Sequence, residues 1–277
     1  MKSKKRKMNE KEKQNNIILL CLLVILIILL IILSIKKMFY NNNYYKIESR
    51  LDNLEKMKSK ETDKYKIYGW IRIQGTNIDY PLIGSLTEDF SNPVNIEKFG
   101  WIMPDNYHYN NVINVMGHNI LNLGVSPVLH DDSFKRFEEL MDFVYFDFAK
   151  ENKYIQLTMD GKEYLYQIFA AGIMDGYSYM TLPSGEYNEK EINEYLKLVN
   201  DNSIYDYSLK VNNTDKFITI ATCTRMFGNT NDDFYVAGRL IEEKSKVFNY
   251  SVKKNEKYKR IQDLLKGADS NDKKDNA

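Results

Sequence analysis

Nineteen consecutive residues, Ile17 to Ile35, are Ile, Leu, Val or Cys with a single Ser34. As a helix rising 1.5 Å per residue this run reaches roughly 28 Å, close to the depth of a bilayer's hydrocarbon core. Ahead of it stand Lys2, Lys4, Lys5, Arg6, Lys7, Lys11 and Lys13, against only Glu10 and Glu12. That bias predicts a cytoplasmic N-terminus, a single pass and an extracellular remainder from about residue 40. A cleaved signal peptide has a shorter apolar region that ends in a small-residue site. Here Ser34-Ile-Lys-Lys-Met38 follows and no Ala-x-Ala pattern is present, so an uncleaved signal anchor is expected.

The rest of the 277 residues suffices for one domain of ordinary size plus appendages. Lys and Arg number 39 against 38 Asp and Glu, a balance that gives no electrostatic argument for nucleic acid. The two cysteines, Cys21 in the apolar run and Cys223 far downstream, cannot make a disulfide scaffold. Five segments follow from these patterns: a basic cytoplasmic stretch 1–16, the membrane anchor 17–35, a stem 36–66, a main domain 67–243 and a charged tail 244–277. In the stem, Ile47, Leu51, Leu54 and Met57 recur every three or four residues, which predicts an amphipathic helix. The tail is poor in apolar residues apart from Ile261–Leu265 and is expected to be solvated or loosely helical.

The main domain is expected to be mainly β, a barrel or sandwich. Short β-type runs appear at Tyr68–Ile73 and Ile78–Ile83 around a Gly75-Thr-Asn turn. Others recur at Val112–Met116, Tyr154–Met159, Glu163–Ile173, Phe217–Thr222 and Phe234–Ile241. Two helices interrupt them. One covers Ser133–Phe143, with Phe134, Phe137, Leu140 and Met141 at helical spacing. The other opens on Asn188-Glu-Lys-Glu191, a capping-box pattern ahead of Ile192, Tyr195, Leu196 and Val199.

Cys223 ends the β-branched run Phe217-Ile-Thr-Ile-Ala-Thr-Cys-Thr-Arg225. A thiol at a strand end, outside the membrane, is a candidate nucleophile, and such a nucleophile needs an acid/base partner and donors for an oxyanion. The competing reading is a small buried hydrophobe. Of His108, His118 and His130, His118 is the best-placed partner, since Val115-Met-Gly-His118-Asn puts it just past a strand. The order His before Cys differs from papain-like enzymes, and the caspase signature is absent. Paired loop carboxylates at Asp131-Asp132 and Asp232-Asp233 do not amount to a calcium site, and no cofactor or metal is expected.

These residues carry a resemblance. Ile220-Ala-Thr-Cys223 is similar to the Thr-Leu-x-Thr-Cys signature of sortases, with the first Thr replaced by Ile or displaced to Thr219. Val115-Met-Gly-His118-Asn resembles their Tyr-Gly-His-Asn motif. Gly69-Trp-Ile-Arg-Ile followed by Thr76-Asn-Ile-Asp-Tyr-Pro81 resembles their opening strands, most like class B, as does a helix before the Cys strand. The resemblance spans roughly residues 67–243. It implies a closed eight-stranded β-barrel with peripheral helices behind one N-terminal transmembrane helix. It also implies a cysteine transpeptidase acting on surface proteins or pilins that bear a C-terminal sorting signal. Cys223 would form a thioester, His118 would protonate the leaving amine, and an amine from a cell-wall precursor or a pilin lysine would resolve it.

One position departs from the pattern. The family places an arginine at the start of the strand after the cysteine, and here that position falls on Asp232 or Asp233. An ionised carboxylate donates no hydrogen bond and disfavours a neighbouring thiolate. Arg239 lies roughly 20 Å further along an extended strand. Arg225, two residues after Cys223 and on the same face if the strand continues, is the nearer substitute donor. The aspartate opens a second reading, a sortase-fold protein with weak or no catalysis that binds sorting-signal peptides or a pilus partner. A third, a hydrolase, differs only in the acceptor.

Overall fold

The computed structural model describes residues 10–42, 47–61, 65–85, 100–102, 108–117, 119, 137–175, 184–224, 232–241 and 250–263. The chain divides into two units, Met1–Lys46 and Ile47–Ala277. The first contains the helix α1, Glu10–Asn42. Its segment Lys13–Ser34 is long and apolar enough to cross a membrane by length and composition.

Among its described residues the second unit has ten strands, three α-helices named below and a further α-helical stretch over 256–263. In chain order these are α2 (Leu51–Lys58), β1 (Tyr65–Ile73), β2 (Asp79–Ser85), β3 (Gly100–Ile102) and β4 (Val112–Gly117). A 3-10 turn at Glu138–Val144 leads to α3 (Phe146–Glu151), β5 (Tyr154–Met159) and β6 (Lys162–Asp175). Then come α4 (Glu189–Asn202), β7 (Tyr205–Tyr207), β8 (Phe217–Thr224), β9 (Asp232–Leu240) and β10 (Val252–Lys254). Eight strands close into a barrel in the order β1-β2-β3-β4-β8-β9-β6-β5, while β7 and β10 pair separately. The expected eight-stranded barrel is therefore present.

Closure without an edge follows from strands that are apolar on both sides. β5 is buried at all six positions, and β8 is buried at every position but Cys223. Two turns set the registers. Gly75 takes φ +81° between β1 and β2, and Thr76 Oγ1 donates to Ile73 O at 3.0 Å. Asp160 and Gly161, both at positive φ, join β5 to β6 with Met159 opposite Lys162. Asp-Gly is the sequence that a two-residue hairpin with two positive φ angles demands.

Several elements differ from expectation. The stem helix is shorter than the periodicity predicted, and its entrance is tied to the barrel. Arg50 donates to Asp79 at 2.6–2.9 Å, Gln156 Nε2 donates to Glu48 O at 2.6 Å, and Leu54 is buried against Ile67 and Ile83. The helix expected over Ser133–Phe143 is a 3-10 turn starting at Glu138, and residues 133–136 lie outside the described set. Beyond 243, the described residues 250–263 are packed rather than solvated, and 256–263 are helical, the other of the two states expected for this segment. Val252–Lys254 pairs with β7, and Tyr250, Val252, Tyr258 and Ile261 belong to the core. The few apolar side chains there fall where one face needs them, which composition averaged over the tail obscures.

A candidate cysteine site at the end of the eighth strand

β4 and β8 run parallel, in register from Val112 opposite Phe217 to Gly117 opposite Thr222. Parallel neighbours end on the same rim. The residue after Thr222 is Cys223 and the residue after Gly117 is His118. His118 itself lies outside the described residues, as does Arg225, which follows the last residue of β8. Both chain neighbours of His118 are fastened to the Cys223 strand. Thr222 Oγ1 donates to Gly117 O at 2.7 Å, and Asn119, 3% exposed, donates from Nδ2 to Cys223 O at 3.1 Å. Gly117 is required on the way, because a β-carbon there would collide with the Phe137 ring.

On its other edge β8 pairs antiparallel with β9, with Thr219 opposite Ala237, Ala221 opposite Tyr235, Cys223 opposite Asp233 and Thr224 opposite Asp232. Alternation puts Thr219, Ala221 and Cys223 on one face with Ala237, Tyr235 and Asp233. α4 packs on that face. Its Tyr195 hydroxyl bonds Thr219 Oγ1 at 2.7 Å, and Tyr235 Oη donates to Val199 O. The capping box predicted at Asn188 starts this helix, with Asn188 Oδ1 accepting from the Lys190 and Glu191 amides and Glu191 Oε2 accepting from the Asn188 amide. A helix fixed at its start thus supports the cysteine's face.

Of the two aspartates the sequence left open, Asp233 faces the thiol. It is 3% exposed, its side chain hydrogen-bonds Cys223, and its Oδ2 is buried with no hydrogen-bond partner among the described residues. Burial is the main cause that pushes its carboxyl up to about 6; Asp232 and Asp175 add to the rise, and the bond from Cys223 opposes it. Arg239 is at the far end of β9, opposite Phe217, and cannot serve this site. Cys223 is the one half-buried residue of an otherwise buried strand, unlike a thiol placed for packing. Sequence reading assigned no role to Asn119 or Thr222. The signal for both was their adjacency to His118 and Cys223, which acquires meaning only once β4 and β8 are known to be parallel neighbours. Among the described residues no group of three His, Cys, Asp or Glu side chains is gathered as a metal cluster would require.

No family model matches the chain. Sortase B of Staphylococcus aureus (strain NCTC 8325 / PS 47) is 23% identical over 207 residues, covering 71% of this chain and 76% of that protein. Sortase B of Listeria monocytogenes serovar 1/2a is 27% identical over 187 residues, covering 62% and 66%. Among solved structures, Clostridium perfringens Sortase B superposes with a TM-score of 0.55 at 23% identity, covering 68% of this chain and 100% of the other. Relatives by sequence and neighbours by fold converge with the barrel and its motifs on one family: the chain is similar in sequence to class B sortases and shares their fold.

Proposed function

We propose that the chain is a membrane-anchored cysteine transpeptidase. It would cleave a C-terminal sorting signal of surface proteins through a Cys223 thioester and pass the acyl group to an amine. The observation that carries this reading is the rim shared by β4 and β8. There Gly117 and Asn119, on either side of His118, are both bonded to the strand that ends in Cys223. In this reading the Cys223 sulfur attacks the scissile carbonyl, and His118 protonates the departing amine and later deprotonates the incoming one. Arg225 supplies a hydrogen bond to the oxyanion in place of the family's arginine.

The partners follow from the same family. A sortase B of Staphylococcus aureus has been solved as a substrate complex, and a Sortase B has been solved in complex with triglycine, so a sorting-signal peptide and an amine acceptor are the partner classes assigned here. The acceptor is a cell-wall precursor or a pilin lysine. The helix over Lys13–Ser34 serves as the single-pass anchor, with the N-terminus cytoplasmic and the catalytic unit outside.

Labelling with a thiol-reactive peptide mimic tests the assignment. Modification is expected at Cys223 in the wild type and is expected to be lost in both Cys223→Ala and His118→Ala. Full labelling in His118→Ala would show that the histidine is not needed to activate the thiol. Asp233, standing opposite Cys223, favours a second reading, a weakly active or inactive protein that binds sorting signals or a pilus partner. Peptide binding without any acyl transfer would select it. Product formed equally fast with and without triglycine would instead identify a hydrolase.

A further inference from the structure

The carboxyl group opposite the cysteine is built in. Asp233 sits in register with Cys223 across β8 and β9, hydrogen-bonds its side chain and is almost fully buried. Its Oδ2 meets no hydrogen-bond partner among the described residues. A buried acceptor without a partner costs free energy unless something uses it. The described titratable groups acting on it are Cys223 from β8, Asp232 from its own strand and Asp175 from β6. The β6 residue directly opposite is Met174, which is uncharged. None of these described neighbours is a cation, so nothing among them holds the carboxylate as half of an ion pair.

We propose that Asp233 is the proton acceptor for Cys223, so that the sulfur's proton and the amine's proton are carried by different groups. This rests on the transpeptidase reading above. In the resting site the thiol donates its S–H to the Asp233 carboxylate. As sulfur bonds to the scissile carbonyl carbon, the S–H proton passes to Asp233 and the carbonyl π pair moves onto oxygen. The adduct collapses, the C–N bond breaks, and protonated His118 gives its proton to the leaving amine. In the second half the incoming amine adds to the thioester and loses a proton to His118. The C–S bond then breaks and Asp233 returns its proton to sulfur. One cycle restores Cys223 as thiol, Asp233 as carboxylate and His118 as imidazolium, so the protons balance.

Two properties of the site suit this role. A carboxylate bonded to the sulfur opposes a preformed thiolate, so attack by the thiol needs a base in contact with it, and Asp233 is in contact. A carboxyl pushed up to about 6 is a stronger base than an ordinary aspartate and is still mostly ionised at neutral pH. The departure from the family's arginine is then a change in how the thiol is activated.

Acylation by p-nitrophenyl acetate tests the proposal without a known sorting signal. In the full chain carrying Cys21→Ser, Cys223 is the only remaining thiol. At pH 7 the acylation rate is expected to fall by about 2-fold in D2O, because a proton moves in the rate-limiting step. In Asp233→Asn the solvent effect is expected to vanish or invert, as for a preformed thiolate. Iodoacetamide alkylation, which needs only the thiolate, is expected to speed up severalfold at pH 7 and to converge with the wild type below pH 5. Asp233→Ala, followed with circular dichroism, provides the same comparison if the Asn variant misfolds. An inverse or absent solvent effect in the wild type, or an unchanged one in folded Asp233→Asn, would overturn the proposal. Failure of every peptide to be cleaved would count against transpeptidation and leave these rates unaffected.

Discussion

The two ends of the β8–β9 ladder treat buried charge in opposite ways. At one end Arg239 is 8% exposed, yet its Nη1 donates to Lys210 O at 3.0 Å and its Nε lies 3.9 Å from Asp215. At the other end Asp233 is 3% exposed, and among the described residues its side chain meets a thiol and two further carboxyl groups rather than an opposite charge. The strands, the pairing and the burial are shared, so the difference lies in what was placed opposite each charge. Compensation at the Arg239 end makes that charge part of the scaffold. Leaving the Asp233 carboxyl poorly compensated raises its proton affinity at the expense of stability, a pattern expected where a group takes part in chemistry.

Three substitutions test this contrast. Asp233→Asn has the largest expected effect. The folded carboxyl titrates near 6 against an ordinary value of 3.8, a difference worth about 3 kcal/mol at neutral pH. Because the folded value is the higher one, the native state binds the proton more tightly. Wild-type stability is therefore full below pH 3.8 and declines as pH rises through about 6. The Asn variant is expected to melt higher than the wild type at pH 7.5 and at the same temperature near pH 3.5, as read by thermal denaturation across pH. Equal melting at pH 7.5 would show that the carboxyl is not penalised.

Arg239→Met comes next and has the opposite sign. Losing a charged hydrogen bond is expected to destabilise the fold by about 2 kcal/mol. The loss should stay flat between pH 5 and 9, because arginine keeps its proton across that range. Urea denaturation at both pH values checks it, and a marked pH dependence would blur the distinction between the two ends. Thr222→Val, the smallest, removes the donor to Gly117 O and is expected to cost about 1 kcal/mol. Its informative readout is the rate of Cys223 labelling, which should fall if that bond holds the β4 rim beside the cysteine.

Alternation of β-branched and aromatic residues was enough to find seven of the barrel strands, because each is long and apolar. β3 escaped for a physical reason. It has three residues, Gly100–Ile102, and pairs with β2 through only two positions, so its identity comes from its neighbours. The β5–β6 hairpin was legible in Asp160-Gly161 and went unread. At the site, Cys223 was legible from its strand-end position, but the choice between Asp232 and Asp233 was not. One residue of register decides which carboxyl faces the sulfur, and register is fixed by pairing that a single strand's sequence does not contain. The fastening of Gly117 and Asn119 to β8 was likewise invisible, since it joins residues more than a hundred positions apart.

The pairing of β10 with β7 also bears on where this molecule can be cut. Asn255 Nδ2 donates to Ser203 O at 2.8 Å, at the residue that caps the C-terminus of α4, and the Lys254 ammonium lies over the Phe146 and Tyr258 rings. A soluble fragment trimmed just after β9 would keep every barrel strand. It would also strip the cover from Tyr205 and Tyr207 and untether the end of the helix that backs the cysteine's face. For anyone preparing the barrel unit alone, the last strand of the barrel is the wrong place to stop; Tyr258 and Ile261 have to come with it.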